Sequence, residues 1–514
     1  MYFLYILTFV LLFVICISIL IDYLSITIKK NAFQIVKEMG IGWSLSNSFN
    51  CYNPNVKIMT PDEQLKLYGN EVPSKKLITS IKKFGFKTIR VPITWVHFID
   101  ESGTINPAWM DRIKEVVNWI IKSKLYYIIN IDKDSAEGSW LSQGMNSKDK
   151  FIHLWTQIAN EFKNYNEYLI FQSMEQVSYK IGNDYDYITL LDINQAFVDT
   201  VRNTGGKNSD RLLIVAGMNQ DPELTCLSLY KMPIDPSRKL AVSFYYYIPA
   251  NFAIESTNNP WTWVDANGVP HIIPSVNKWG SETDYKELFV YFENIKEIFV
   301  DKGYPVIISE TGVLTEDKKD INSAREFLYS VFSMTRSFDG IMACLMDTSD
   351  KKYGIMNYYD RVNDKWYDEV IRDNFKKLIQ GKFLKFTDFS YYSNRDTITN
   401  INYSGSLVLK IGKKKVKRVI FNVKLAIDYN FVNFGILSND KRSLYFSLMV
   451  KGNDGKKNFD GSYTYTIDVS KKDCNDYIEI QKWWNSEKIT LRYLTVVFDK
   501  EYTFFDYTAY KNNL

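Results

Sequence analysis

The chain has 514 residues, more than one domain normally holds, and its 46% hydrophobic and 24% charged content is that of a folded globular protein. A net charge of +4 over this length excludes an electrostatic case for nucleic-acid binding. Five scattered cysteines without paired spacing and only three histidines (His97, His153, His271) argue against a metal site, a disulfide framework or a Ser-His-Asp hydrolase, so no metal or cofactor is expected.

Residues 2–21 carry no charge, and Asp22 is the first charged position. That length spans a bilayer. No basic residue precedes the run and no small-x-small cleavage site follows it, so an uncleaved transmembrane anchor over residues 1–28 is expected rather than a removed signal.

Short apolar runs then alternate with helical patterns. The runs are IGWS (41–44), KTIRVP (87–92), YYIIN (126–130), YLIFQSM (168–174), LLIVAG (212–217), AVSFYYY (241–247), PVIISE (305–310) and IMACLM (341–346). Continuous apolar runs of this length read as buried parallel strands. Between them, the stretch 106–124 is amphipathic, with Asn106 as cap and Pro107 at the first helical position. Similar helices fit 148–164, 187–204, 284–302 and 321–337. Eight alternating units predict a (β/α)8 TIM barrel, an α/β fold, over residues 29–381. In that fold the active site lies at the carboxyl ends of the strands, where Arg90, Asn130, Gln176, Tyr247 and Glu310 fall.

The helical pattern stops near Gln380-Gly381. From there, alternating runs such as SLVLKIG, RVIFNVK and SYTYTIDV predict an antiparallel β-sandwich over 382–514. The aromatic residues (36 Tyr, 32 Phe, 12 Trp) suit either a sugar-stacking cleft or large cores and β modules. Trp43, Trp95, Trp140, Trp261, Trp263 and Trp279 lie near strand ends, where core packing is the default. The polar-flanked loop 259–263 (NPWTW) is the better candidate for a sugar-stacking wall.

Several segments resemble the cellulase-type family 5 of glycoside hydrolases. MGIGWSLSNSFN, FGFKTIRVPITW, the helix and strand INPAWMDRIKEVVNWIIKSKLYYIIN, NQAFVDTVRNTGGKNSDRLLIVAG, the WG at 279–280 and PVIISETG occur in the family's order over residues 39–380. The resemblance implies a TIM barrel that hydrolyses β-linked glucans or mannans with retention. It implies Glu310 as nucleophile, Arg90 as the residue that orients it, and Tyr247 beside it. As sugar-binding candidates it adds Trp43, Asn47, Trp95, Asn130, Trp261, Trp263 and Trp279.

Four strands depart from the family pattern. The family's NLHHD on strand three reads NIDKD, placing Asp132 and Lys133 where histidines are expected. Its MNEP on strand four reads MEQV, with Glu175 for the asparagine and Gln176 for the acid/base glutamate. The strand-six histidine becomes Tyr245, and the WWDN of strand eight reads LMDT, with Leu345 and Met346. A glutamine side chain cannot give up a proton near neutral pH.

If Gln176 faces the cleft, strand alternation turns Glu175 away. Glu310 reads either as a live nucleophile or as a buried ion pair with Arg90, and Asp132 as a replacement acid or as a partner of Lys133 or Arg90. The expected function is a catalytically impaired, membrane-anchored barrel that binds or guides a β-linked polysaccharide, with envelope or glycan-export proteins as partners. The alternative is a working endo-β-1,4-glucanase or mannanase with a relocated acid. Lys29, Lys30 and Lys37 favour a cytoplasmic domain, whereas glycan handling favours an extracytoplasmic one, which is the orientation expected here.

Overall fold

A computed structural model describes residues 30–384 apart from 57–58, 136–138, 176–183, 227–228, 256–261, 265–269, 273–274, 316–318 and 350–355; beyond 384 it describes mainly the backbone of β-strands. The expected membrane anchor and Gln176 lie outside the described residues, as does Trp261. No helix among the described residues is long and apolar enough to cross a membrane.

Eight parallel strands close a barrel: β1 (Gly42–Leu45), β2 (Thr88–Val91), β3 (Tyr126–Ile129), β4 (Leu169–Gln172), β5 (Leu213–Ala216), β6 (Leu240–Tyr246), β7 (Val306–Thr311) and β8 (Ile341–Asp347). Each pairs with its neighbours in sequence, and β8 returns to β1. These are the eight apolar runs of the sequence, with ends shifted by one or two residues. Their side chains are almost all buried, as strands covered on both faces require.

The helices follow from local signals. In α3 (Pro107–Lys122) the Asn106 side chain accepts from the Ala108 N–H at 2.9 Å, and Pro107 fills the first position. Its apolar face buries Trp109, Ile113, Val116, Val117 and Ile120. Burying each such side chain stabilises by about 1.5–3 kcal/mol. Helix α2 (Lys75–Phe84) precedes β2, and α8 (Glu369–Ile379) comes after β8, capped by Asp368. Gly85 joins α2 to β2 at φ +121°, where a Cβ would stand 2.8 Å from Ile379 Cγ2, so α2 and α8 approach closely there.

A helix ahead of β1 was not expected. α1 (Ala32–Met39) starts at a capping box in which Asn31 and Gln34 bond each other's backbone N–H. Its buried residues Ile35, Val36 and Met39 join Ile128, Ile170, Ile214, Ile307 and Cys344 in one cluster. The Met39 carbonyl accepts from Thr88 Oγ1 at 2.7 Å, so α1 closes the amino-terminal end of the barrel.

The chain divides into two compact units that interleave in sequence. The first holds all eight barrel strands. The second comprises residues 275–294, 319–337 and 383–514. It contains α7 (Ile321–Ser337) and the start of α6 (Glu282–Ile298). It also contains two antiparallel sheets, of six and four strands. Trp279 belongs to this unit; it is 5% exposed and packs edge-on against Tyr285 and Phe327.

Candidate active site

The carboxyl ends of the strands hold a buried polar layer above the apolar floor. At its centre is Arg90 on β2, with no exposed surface. Its Nε donates to Gln172 Oε1 on β4 at 3.0 Å. Its Nη1 donates to Ser44 Oγ on β1 at 3.1 Å and to Glu310 Oε1 on β7 at 2.8 Å. Its Nη2 contacts the Glu175 carboxylate. One guanidinium therefore serves two carboxylates.

Glu310 reaches this position through an irregularity in β7. Phe244 pairs with Ile308 but Tyr245 with Glu310, and on the other side Ala343 pairs with Ile308 but Leu345 with Thr311. The extra residue of this bulge sets Glu310 level with Tyr245; bulges next to active sites re-aim side chains in this way. Glu310 is 8% exposed. Burial pushes its carboxyl up from the ordinary value, and the charge of Arg90 opposes that push. Tyr247 OH donates to Met346 Sδ at 2.9 Å and stands 3.4 Å from Glu310 Oε2. Burial, followed by the Glu310 charge, raises the Tyr245 and Tyr247 phenols well above their usual range, so both remain donors.

Glu175 does not follow strand alternation. β4 ends at Gln172, and Glu175 lies three residues beyond it, where alternation no longer governs direction. Its carboxylate turns inward. It accepts from Asn130 Nδ2 at 2.5 Å, from Gln172 Nε2 at 3.3 Å, from Tyr245 OH and from Arg90. All four of these partners donate to the Glu175 oxygens. Glu175 is also 2% exposed, which leaves it almost no surface to present to a sugar oxygen.

The remaining candidates separate into two groups. Asn130 joins the cluster, and its Oδ1 accepts from the Ile93 N–H at 3.0 Å. Asp132 stands 3.6 Å from Lys133 Nζ. Asp132, and to a lesser degree Glu310, hold that ammonium charged. Asn47 is half-buried at φ +55°, with its carbonyl bound by Asn70 Nδ2 at 2.7 Å.

Three tryptophans named as binding candidates are core residues instead. Trp43 follows Gly42 and precedes Ser44, whose Oγ meets Arg90 inside the barrel, so Trp43 faces outward. It packs edge-on against Phe86, Tyr359 and Trp366. Trp95 is fully buried, with its indole N–H on the Asn130 carbonyl at 2.9 Å. Trp279, buried in the second unit, is the third. Of the NPWTW loop, the structure describes Thr262–Val264 as a strand paired with Pro270–Ile272, so Trp263 sits on a two-stranded ribbon.

Two further groups brace the mouth and have measurable consequences. Asp347 at the end of β8 is fully buried and pairs with Arg361 Nη2 at 3.0 Å; Arg361 also binds the Ser46 carbonyl. Arg361→Ala leaves that carboxylate buried without its cation, with only the Tyr358 and Tyr359 N–H groups on it, and is expected to cost about 3–5 kcal/mol in urea denaturation. Asp347→Asn in that background is expected to recover part of the loss.

Asp134 is buried, accepts from the Trp95 N–H at 2.8 Å and from Trp140 Nε1 at 2.7 Å, and is pushed up to about 7 by burial. Between about 4 and 7 the unfolded chain has released this proton while the folded one keeps it. Stability therefore falls as pH rises through that window, by on the order of 4 kcal/mol at most. Asp134→Asn is expected to flatten this slope in urea titrations at a series of pH values; an unchanged slope would mean that Asp134 does not titrate there.

An eight-stranded parallel barrel with an arginine-braced glutamate at the end of strand seven, a tyrosine beside it and a polar layer at the strand ends is the frame of a glycoside-hydrolase barrel. The model of the cellulase family, glycosyl hydrolase family 5, matches residues 47–345, and the chain belongs to that family.

Among its relatives, endoglucanase A of Paenibacillus barcinonensis is 33% identical over 351 residues, 64% of this chain and 82% of that protein. A solved broad-specificity endoglucanase of the same family from an uncultured bovine rumen ciliate is 52% identical, with a TM-score of 0.67, and covers 69% of this chain and 99% of its own. A family 5 lichenase from Caldicellulosiruptor, solved as a Glu-to-Gln mutant with cellotetraose, is 29% identical with a TM-score of 0.61 and covers 68% of this chain and 96% of its own.

Proposed function

We propose that this chain binds a β-linked glucan in the barrel mouth and hydrolyses it poorly or not at all, because the proton donor of the retaining reaction is missing. In that reaction one Glu310 oxygen attacks the anomeric carbon as the glycosidic C–O bond breaks, and the departing sugar oxygen must receive a proton. Gln176 stands where the family pattern has the acid, and an amide has no proton to give. Loss of general-acid help costs about 10²–10⁴-fold.

The observation that carries the reading is the state of Glu175, the carboxylate next to Gln176 in sequence: it is buried and occupied by four donors. The lichenase relative, solved as a Glu-to-Gln mutant with cellotetraose, supports the idea that such a change is compatible with holding a glucan.

The reading extends to the rest of the chain. Residues 2–21 act as a membrane anchor with the barrel outside the cytoplasm. The C-terminal strands form a sandwich that assists glycan binding, next to envelope or glycan-export proteins.

A 2,4-dinitrophenyl β-cellobioside, whose leaving group needs no protonation, tests the central claim. With it, a Glu310-linked glycosyl adduct is expected, and with azide a β-glycosyl azide. Neither should form in Glu310→Gln. Plain mixed-linkage β-glucan should release no new reducing ends; rapid release would overturn the proposal.

The alternative is an active endoglucanase with a relocated acid. It is favoured by the endoglucanase relatives and by the Glu175 carboxylate sharing Arg90 with Glu310. In that case Glu175→Gln should abolish the release of reducing ends.

A further inference from the structure

The two ends of the barrel differ in charge. At the amino-terminal end, six of the segments that lead into strands carry a cation: Lys87 before β2, Lys124 before β3, Lys163 before β4, Lys207 before β5, Arg238 before β6 and Lys302 before β7. All but the half-buried Lys163 are exposed. The acids of the same end are mostly engaged by other cations. Asp210 pairs with Lys239 at 2.7 Å, Asp235 with Arg202 at 2.9 Å, Asp301 with Lys296 at 2.7 Å and Asp339 with Lys37 at 3.9 Å. Among the described residues of these segments, Glu167 is the exposed acid outside those pairs. The opposite end, the mouth, holds Asp132, Glu175, Glu310 and Asp347.

Local structure does not ask for these cations. Lys124 and Arg238 take φ of +57° and +52°, a region in which glycine or asparagine is the usual choice. Lys87 and Lys207 lie outside the α-helices, beyond the last turns where a cation meets the helix dipole. What the six share is the surface they form. That surface is also the tethered one. α1 closes the amino-terminal end of the barrel, and residues 22–31, with Lys29 and Lys30 among them, separate the start of α1 from the uncharged run 2–21. Fully extended, that stretch reaches about 35 Å at most. A bilayer holding the run therefore lies close to the basic end and not to the mouth. Groups of about four to eight Lys and Arg beside a membrane segment are drawn to anionic lipid headgroups.

We propose that the amino-terminal face of the barrel docks on the phosphates of an anionic lipid surface, so that the mouth opens away from the bilayer. The proposal rests on the reading of residues 2–21 as a membrane anchor. Amide hydrogen exchange of the full chain on vesicles of phosphatidylcholine, with and without phosphatidylglycerol, tests it. Attachment to both kinds of vesicle is expected. Only with phosphatidylglycerol should residues 122–125, 204–209 and 302–304 exchange more slowly, while 99–105 at the mouth keep their rate. The protection should be lost at about 1 M salt, where charges are screened beyond about 3 Å. The exposed quadruple variant Lys87→Glu/Lys124→Glu/Lys207→Glu/Arg238→Glu should lose it at any salt, yet keep its attachment and its affinity for cellotetraose.

If the quadruple variant fails to fold, the salt series on the unaltered chain still decides. Attachment to both vesicles with equal exchange would overturn the docked face and leave the anchor standing. Protection of 99–105 in place of the amino-terminal segments would also overturn it. Attachment only to phosphatidylglycerol vesicles, reversed by salt and lost in the variant, would support the docked face and remove the anchor reading. Attachment to neither would overturn both.

Discussion

Gln176→Glu alone is expected to leave hydrolysis of mixed-linkage β-glucan at or near background. The substitution returns a carboxyl to the acid/base position but leaves Glu175 in place. Glu175 draws Arg90 Nη2, Asn130 Nδ2 and Tyr245 OH onto itself. Arg90 is then divided between Glu175 and the glutamate it should orient, and a fourth carboxylate would be added to Glu310, Glu175 and Asp132. Like charges packed in a buried site raise one another's proton affinity and disfavour ionisation of the nucleophile.

The double variant Glu175→Asn/Gln176→Glu removes that competitor. It should exceed the single variant by at least about 10²-fold, the lower end of what a positioned general acid supplies. Reducing-sugar release under identical conditions measures both. Recovery of ordinary endoglucanase rates by Gln176→Glu alone would show that Glu175 does not disable the site. Failure of the double variant would move the defect to Asp132, Lys133 and Tyr245, or to Leu345 and Met346.

Arg90→Met should have the largest effect on stability. It takes the guanidinium that binds both Glu310 and Glu175, each nearly buried. Breaking a buried pair by removing one partner costs about 3–5 kcal/mol, because the charge left behind stays desolvated. Here two charges stay behind, so the upper end of that range is expected, as a fall in urea midpoint with little change in slope. Gln172 and Ser44 also lose their partner. Adding Glu175→Gln to Arg90→Met should recover part of the loss, since one buried charge is then gone and the two sites share contacts. A destabilisation below about 1 kcal/mol would mean that water or Lys133 replaces the guanidinium, and that the two carboxylates are not held by Arg90.

Much of this protein is legible from its residues. The eight apolar runs became the eight strands because a strand buried on both faces must be apolar throughout, which the order of residues records directly. The Asn106-Pro107 start of α3 was readable for the same reason: capping is local. The pairing of Arg90 with Glu310 was implied by the family resemblance, and closure of the barrel brings the two side chains to 2.8 Å. α1 was not among the expected helices, although its signal, Asn31 and Gln34 ahead of Ile35, Val36 and Met39, is present in the sequence close behind the uncharged run.

What the tertiary structure alone decided is direction. Trp43 and Trp95 were named as binding candidates although core packing is the default near strand ends, and which side of the barrel wall each faces depends on pairing register. Glu175 was expected to turn away by alternation and instead turns into the Arg90 cluster, because the regular strand β4 stops at Gln172 and the residues beyond it, held by Ser173 N–H on the Ile214 carbonyl and Glu175 N–H on the Ile131 carbonyl, no longer alternate. Glu310 reaches its place through an extra residue in β7 that no local pattern marks.

The sequence by itself determined the barrel, the family and the substitution of glutamine for the acid, since these are properties of residue type in order. The fold determined that Glu175 competes with Glu310 for one guanidinium, and that Trp43 faces the outer flank of the barrel. Those depend on where side chains from distant strands meet, and only closure of the barrel brings them together.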